Sequence, residues 1–210
     1  MTERFARDER LALADTLLAA GPDAPTVCEG WLTRHLAAHI VVRERRPDAA
    51  LGIMLKPLQD HLQQVQDKLA AEDYVSLVAR VRFPQALSLV RIDAVEEAMN
   101  LTEFFIHHED VRRGTPGWTP RQLSPSYERA LRRRVRGSAR LSTRRYPGTV
   151  VVHSPGLATF EVGAGGEPVE VSGDPGELPL FFSGRQRVAD VAVTGSDDQV
   201  RRLKGARLGL

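Results

Sequence analysis

The chain has 210 residues, 42% hydrophobic and 27% charged, with a formal net charge of +2. This balance is typical of a globular protein of one large or two small domains, and argues against polyanion binding over the whole surface. No apolar run approaches the roughly 20 residues of a membrane span, and the N-terminal segment lacks the apolar core of a signal peptide. The single cysteine, Cys28, excludes an internal disulfide framework, so we expect a cytoplasmic protein.

The first part of the chain has the hydrophobic pattern of a helical bundle. Apolar residues recur at three- and four-residue spacings, which is typical of amphipathic helices. Gly21 and Pro47 are typical of helix ends, and Asp73 is a candidate N-cap. The pattern predicts helices over residues 3–20, 31–46, 56–72 and 74–82.

One long helix is predicted over residues 93–114, in the middle of the chain. Asp93 is a candidate N-cap, and Gly114 followed by Pro116 is typical of a helix end. Apolar residues occur on several sides of this helix, which is typical of a helix buried at the centre of a bundle. At about 100° per residue, one face combines apolar, acidic and imidazole side chains: Ile92, Glu96, Met99, Glu103, Ile106, His107 and Asp110.

The character of the sequence changes near Tyr146. Before it, Ser124 and Pro125 are typical of the N-cap and first position of a helix that runs to residue 141. After it, apolar segments separated by Gly-containing turns predict strands over residues 148–156, 157–166, 168–173 and 189–195. Short helices are predicted over residues 174–183 and 196–203. We therefore expect an antiparallel helical bundle over residues 1–145 and a small α+β domain over residues 146–210.

The central helix carries the clearest chemical signal. Glu103 and His107 lie four residues apart, so their side chains project from adjacent turns of one face. His39 lies on the apolar stripe of the second helix and could face this pair across the bundle. Two imidazoles and one carboxylate suit Zn²⁺ with an open fourth position, as in catalytic zinc sites. The same donors also suit Ni²⁺, Fe²⁺ or Mn²⁺.

Other interpretations of these residues stay open from the sequence alone. Glu103 and His107 can form an ordinary hydrogen bond, and His35 with His39 is a competing pair at the same spacing. Asp110, one turn after His107, either orients a ligand imidazole by accepting its second N–H or forms a salt bridge with Arg113 or Arg43.

Three further features have both a structural and a functional interpretation. His108 points away from His107, and we expect it at the surface or bonded to another helix. Cys28 is either a small packing residue or a nucleophile that needs a nearby base. Residues 129–145 contain eight arginines, which form either a solvated helix face or an anion-binding, nucleic-acid-binding face. The lack of interleaved aromatic residues argues against single-strand binding.

Two segments carry a resemblance to a known family. Residues 28–40, CEGWLTRHLAAHI, resemble the C-x-G-W-T-x-x-x-L-A-A-H-L segment of the mycothiol-dependent maleylpyruvate isomerase family, whose members are DinB/YfiT-like helical metalloproteins. Residues 103–113, EFFIHHEDVRR, resemble that family's E-x-x-x-H-x-x-D-x-R-R stretch. The resemblance implies an all-α DinB-like four-helix bundle in which His39, Glu103 and His107 bind a divalent metal, usually taken as zinc.

The end of the chain fits the same family. Residues 171–185 resemble part of its small C-terminal domain, which has a sterol-carrier-like α+β fold. Arg185 in this segment is a candidate catalytic residue that contacts the substrate. The similarity covers nearly the whole chain and looks strongest to an actinobacterial subfamily described only as metal-binding.

These observations lead to three functional hypotheses. In the first, a zinc ion activates a low-molecular-weight thiol, which the resemblance implies is mycothiol, and the protein is a transferase or isomerase acting on a small electrophile. In the second, the protein is a non-catalytic metal-containing binding or stress-response protein. In the third, ranked last, the arginines of residues 129–145 bind nucleic acid.

Overall fold

The computed structural model describes residues 4–53, 55–83 and 93–209, except for the side chains of residues 93–96, 98 and 99. The chain forms two compact units, Met1–Trp118 and Thr119–Leu210. Within the described residues, no helix combines the length and apolarity needed to cross a bilayer.

The first unit is helical, as the sequence predicts. Its helices are α1 (Phe5–Ala20), α2 (Thr33–Arg45), α3 (Pro47–Ala50), α4 (Gln59–Ala70), α5 (Tyr74–Arg82) and α6 (Asp93–Arg112). The predicted cap is confirmed, because the Asp73 carboxylate accepts the backbone N–H of Ser76 at 2.8 Å. A four-helix bundle is not confirmed: the described part of this unit contains five helices of nine or more residues. The four-residue helix α3 was not predicted.

The core of the first unit lies between α1, α2, α5 and α6. Leu13 and Leu17 of α1 pack there with Leu36 of α2, Leu77 of α5 and Phe104 of α6, and all five are fully buried. Helix α6 is apolar on more than one side, as predicted for a central helix, since Leu101, Phe104, Phe105 and Val111 are all buried. Of the predicted stripe, Ile92 and the side chains of Glu96 and Met99 lie outside the described residues.

Buried charges in this unit occur in pairs. Arg10 of α1 binds Glu44 of α2 through two hydrogen bonds of 2.6 and 2.7 Å. Glu109 of α6 and Arg113, the residue that follows this helix, pair at 2.6 Å with side chains only 1% exposed. Because a charge buried without a partner is strongly unfavourable, these pairs restrict how the helices can pack.

The second unit consists of a four-stranded sheet and three helices. Its elements are α7 (Pro125–Ser142), β1 (Thr149–Ser154), β2 (Leu157–Gly163), β3 (Val169–Gly173), α8 (Glu177–Phe182), β4 (Val191–Thr194) and α9 (Asp197–Lys204). The strand order is β2-β1-β3-β4, with β1 and β3 parallel and the outer pairs antiparallel. The α+β prediction for the end of the chain is therefore confirmed at the level of its elements.

Helix α7 packs with the sheet. Val135 and Ala139 on α7 share one apolar core with Val150 and Val152 of β1 and with Phe181 of α8. For this reason the compact units divide at Thr119. The assignment of residues 1–145 and 146–210 to separate functional domains stays a prediction.

Replacing Ser124 with alanine is expected to lower the free energy of unfolding by about 1 kcal/mol. Ser124 Oγ accepts the N–H of Tyr127 at 3.3 Å and caps α7, with Pro125 at the first helical position. Ser138→Ala in the middle of the same helix is the control, because alanine there removes no cap and has a higher helix propensity. Urea unfolding of both variants measures the difference, and equal midpoints would contradict the capping role.

Candidate metal centre

Helices α2 and α6 bring three donor groups together in the first unit. His39 comes from α2, whereas Glu103 and His107 come from successive turns of α6. Glu103 Oε1 lies 3.2 Å from His107 Nε2 and 3.8 Å from His39 Nε2. The three donor atoms all lie within 4.8 Å of one another, so a single ion could contact all of them.

This cluster is covered on its imidazole side and open at its carboxylate. The His39 ring lies 5.1 Å from the ring of Trp31 and 5.2 Å from that of His107, measured between centroids. The exposed fraction of the side chain is 8% for His107 and 12% for His39, but 30% for Glu103. Solvent and small solutes therefore reach the cluster from the side of Glu103.

A second set of contacts holds the far side of the His107 ring. Asp110 is fully buried, and its Oδ2 lies 2.9 Å from His107 Nδ1. The same oxygen accepts the Cys28 thiol at 3.2 Å, and the backbone carbonyl of Asp110 accepts the N–H of Val27 at 2.9 Å. Because Nδ1 donates to Asp110, the ring is fixed with Nε2 directed at Glu103.

Cys28, His107 and Asp110 form a second set of donor atoms lying within 4.8 Å of one another. These groups are joined by hydrogen bonds, so each atom of the set already has a partner. The distance from His39 to Glu103, at 3.8 Å, is too long for a hydrogen bond. The geometry therefore favours the first set as the ligands and the second as their support.

Arg43 adds a positive charge beside the cluster. It lies one turn after His39 on α2, and its Nε is 3.4 Å from Glu103 Oε1. Its Nη1 donates to Oδ1 of the buried Asn100 at 2.7 Å, which fixes the guanidinium in place. A carboxylate has about four acceptor positions, so Glu103 can keep this ion pair while binding a further group.

The pKa values of the two imidazoles are shifted in opposite directions. Burial lowers the pKa of His39, and the nearby carboxylate of Glu103 offsets this only in part. Burial alone would lower the pKa of His107 too, but hydrogen bonds, those with Asp110 and Cys28 first, raise it well above its ordinary value. Burial would raise the pKa of Glu103, yet the hydrogen bond from His107 and the nearby His39 imidazole hold it below its usual range. The surroundings thus favour the uncharged form of His39, the protonated form of His107 and the ionised form of Glu103.

The competing histidines have other partners. His35 Nδ1 accepts the backbone N–H of Leu32 at the start of α2. His108 is buried and bonded to another helix, one of its two predicted environments, with Nδ1 2.7 Å from Glu9 and Nε2 2.8 Å from Thr16.

Arg185 and the arginines of residues 129–145 belong to the second unit. Arg185 follows α8, and its Nη1 donates to the carbonyl of Ser183 at 2.6 Å. Six of the eight arginines are exposed, on α7 and just beyond it: Arg129, Arg133, Arg136, Arg140, Arg144 and Arg145. A role for Arg185 in substrate contact stays a prediction.

Solved structures relate this fold to a known enzyme. The crystal structure of the mycothiol-dependent maleylpyruvate isomerase superposes with a TM-score of 0.53, at 18% identity over 90% of each chain. The chain shares the fold of this isomerase. A mutant of that enzyme with one histidine changed to alanine gives the same values. No protein-family model and no curated protein matches the chain, and the metal-binding subfamily suggested by the sequence has no support from these comparisons.

Two contacts of the cluster were not identified from the sequence. Arg43 was considered as a partner of Asp110 and instead pairs with Glu103, although its position four residues after His39 places it on the same helix face. The contact between Cys28 and Asp110 spans 82 residues and depends on the loop before α2, so helical periodicity gives no signal for it.

Replacing Asp110 with asparagine is expected to weaken zinc binding by roughly 10–100-fold without abolishing it. The amide keeps the shape of the side chain but loses the charge that orients His107 through Nδ1. Zinc affinity measured by competition with a chelator tests this. Asp67→Asn on α4, whose exposed carboxylate accepts from Gln63, is the control and should bind zinc normally. Equal affinities for the two variants would contradict the orienting role.

Proposed function

We propose that this protein binds a divalent metal ion, most favourably Zn²⁺, through His39, Glu103 and His107, and transfers a low-molecular-weight thiol to a small electrophile. Mycothiol is the proposed thiol, and the reaction is a conjugation or an isomerisation. The convergence of two imidazoles and a carboxylate from α2 and α6 carries the proposal. The fold shared with a mycothiol-dependent isomerase supports the choice of thiol.

The spacing of the donor atoms fits a small divalent ion. Tetrahedral zinc bound at about 2.0–2.1 Å places neighbouring ligand atoms roughly 3.3 Å apart. The distances from Glu103 Oε1, 3.2 Å to His107 and 3.8 Å to His39, bracket this value. Both imidazoles must be neutral to bind a metal, so the ion would displace the proton held between His107 and Glu103. Three protein ligands leave one position for a substrate atom.

The remaining chemistry follows from the surroundings of the cluster. A bound zinc ion supplies a Lewis acid that lowers the pKa of a coordinated thiol, which is then a thiolate at neutral pH. Asp110 keeps Nε2 of His107 directed at the donor cluster. Arg43 places a fixed positive charge where an anionic substrate group would approach, next to the exposed side of Glu103.

The proposed reaction balances without a redox partner. The thiol proton passes to solvent, and the sulfur forms an S–C bond to one carbon of an activated carbon–carbon double bond, whose π electron pair shifts onto the rest of the electrophile. In a conjugation, a proton from solvent adds to this adduct and completes the product. In an isomerisation, the adduct rotates about the new single bond, the electron pair returns to re-form the double bond, and the same S–C bond breaks to release the thiolate. We propose that Arg185 binds a carboxylate of the electrophile as a bidentate partner.

The experiment combines metal analysis with a thiol assay. The purified chain is analysed for bound metals, and the zinc-loaded protein is assayed for mycothiol consumption or isomer formation with electrophiles that include maleylpyruvate. Metal-dependent turnover is the expected result. A zinc-loaded protein that leaves every thiol and electrophile pair unchanged would overturn the transferase proposal, and would favour the non-catalytic binding hypothesis.

The role of Arg185 is tested by comparing the KM values of two alanine variants. Arg185→Ala is expected to raise KM for a carboxylate electrophile by about 10-fold or more, because a charge-assisted bidentate contact is lost. Arg187→Ala, two residues further along the chain and exposed, is the matched control. Equal KM values would remove Arg185 from the substrate site.

A further inference from the structure

The second unit contains a cleft that the metal centre does not explain. Its volume is about 720 Å³, within the range of roughly 300–1,000 Å³ typical of small-molecule sites. The walls come from residues 145–148 before and at the start of β1, residues 166–167 before β3, helix α9, and residues 206–208 after it. Every lining residue belongs to the second unit.

The floor of the cleft is apolar and fixed. Tyr146 and Ala206 pack against the core of the sheet, and Leu208 is part of that core. A Cβ atom at Gly148 would lie only 2.8 Å from Cε1 of Tyr146, so a glycine is needed for the ring to lie over the start of β1. The tyrosine ring therefore forms part of the cleft wall and presents an aromatic surface to a ligand.

The rim is positively charged. Among the described residues, the exposed guanidinium groups of Arg145 and Arg207 form no ion pair or hydrogen bond. Arg202 is paired with Asp198 at 2.7 Å, so these two charges compensate each other. Glu167 is the remaining acidic residue of the lining. Two uncompensated arginines against one carboxylate give the rim a net positive charge.

We propose that this cleft binds a small organic acid, a molecule with an apolar or aromatic body and one carboxylate or sulfonate group. The body occupies the floor formed by Tyr146, Ala206 and Leu208. The anionic group accepts hydrogen bonds from Arg145 or Arg207, whose planar guanidinium groups match the geometry of such an anion. This ligand site is additional to the thiol reaction proposed for the first unit and does not depend on it.

The test is a fluorescence titration of the full chain with 8-anilinonaphthalene-1-sulfonate. The expected result is saturable binding of one probe per chain. Decanoate should displace the probe at concentrations at least about 10-fold lower than decanol, because decanol lacks the charge. Equal competition by the two compounds would show that only apolar contact is involved and would overturn the proposal.

Paired variants locate the site. Arg145→Gln and Arg207→Gln are each expected to weaken probe binding by about 10-fold. Two control variants change exposed arginines that do not line the cleft. Arg144→Gln lies next to Arg145 in the chain, and Arg201→Gln lies on α9. Both controls should bind the probe normally. If Arg144→Gln and Arg145→Gln weaken binding equally, the probe senses overall surface charge and the site is wrong.

A third variant tests the floor. Ala206→Trp should fill the cleft and abolish probe binding, while the unfolding temperature shows whether the chain remains folded. If that variant does not fold, Tyr146→Leu replaces it: the aromatic surface is lost, the apolar contact is largely kept, and several-fold weaker binding is expected. If Ala206→Trp or Tyr146→Leu is folded and binds the probe with unchanged affinity, the probe binds outside this cleft and the proposal is overturned.

Discussion

Replacing His107 with alanine is expected to reduce bound zinc from about one ion per chain to a trace. Among the three proposed ligands, His107 contacts both Glu103 and Asp110, which lie on opposite sides of its ring. Its loss should therefore exceed the roughly 10–100-fold effect of losing an outer hydrogen-bonding partner. Elemental analysis after dialysis against a weak chelator measures the change.

The same experiment separates the two donor sets. Cys28→Ala should retain zinc if His39, Glu103 and His107 are the ligands, and should lose it if the thiol is a ligand. His61→Ala is the control histidine, because its ring is exposed and bonded to Asp48. If His107→Ala retains zinc at full stoichiometry, His107 is not a ligand and the proposed site is wrong.

A loss of metal must be distinguished from a loss of fold. His107→Ala leaves a cavity and removes one partner of the buried Asp110. Glu103→Gln provides the second test, since the side chain is partly exposed and glutamine keeps its shape while losing the charge. We expect this variant to stay folded by circular dichroism and still to bind zinc much more weakly. Normal zinc binding in the folded Glu103→Gln variant would contradict the proposal.

Much of the fold follows from local signals. Asp73 and Ser124 cap helices where the sequence predicts them, because N-capping depends on a hydrogen bond between residues only three apart. The proximity of Glu103 and His107 likewise follows from the four-residue spacing on one helix. Including His39 in the cluster depends on how α2 is oriented about its axis. The apolar stripe of α2 indicates this orientation, because the stripe must face the core.

Long-range features could not be predicted in this way. The apolar face of α7 indicates that the helix packs against a hydrophobic core, but periodicity does not identify which of the two cores. The structure places Val135 and Ala139 in the core of the sheet. Arg10 shows the same limit. An arginine on an amphipathic helix is usually exposed, and only the position of Glu44 on another helix makes its complete burial favourable.

Replacing Arg10 with methionine is expected to lower the free energy of unfolding by about 3–5 kcal/mol. The guanidinium is 1% exposed, bonds both oxygens of Glu44, donates to the carbonyl of Val81 at 3.0 Å and lies 4.4 Å from the ring centre of Phe104. Methionine would fill much of the space but leave the Glu44 carboxylate, 4% exposed, without this partner. Urea unfolding followed by circular dichroism gives the difference.

Two comparisons make this result specific to a buried pair. Arg34→Met breaks the surface pair with Asp23, whose carboxylate is 69% exposed, and should change stability by less than about 1 kcal/mol. The double variant Arg10→Met with Glu44→Leu removes both charges and should recover most of the lost stability. A loss in Arg10→Met no greater than that in Arg34→Met would show that Glu44 is not left as an uncompensated buried charge.

The position of Arg10 also connects stability to the candidate site. Two side chains that it contacts, Glu44 on α2 and Phe104 on α6, lie on the helices that supply His39 and Glu103. One guanidinium thus contacts both helices from which the three donors converge, and we expect it to restrict their register. The charge-free double variant should therefore be stable yet bind zinc more weakly than the original chain, because apolar contacts permit small shifts that a bidentate ion pair does not. Unchanged zinc affinity in that variant would show that packing alone sets the register.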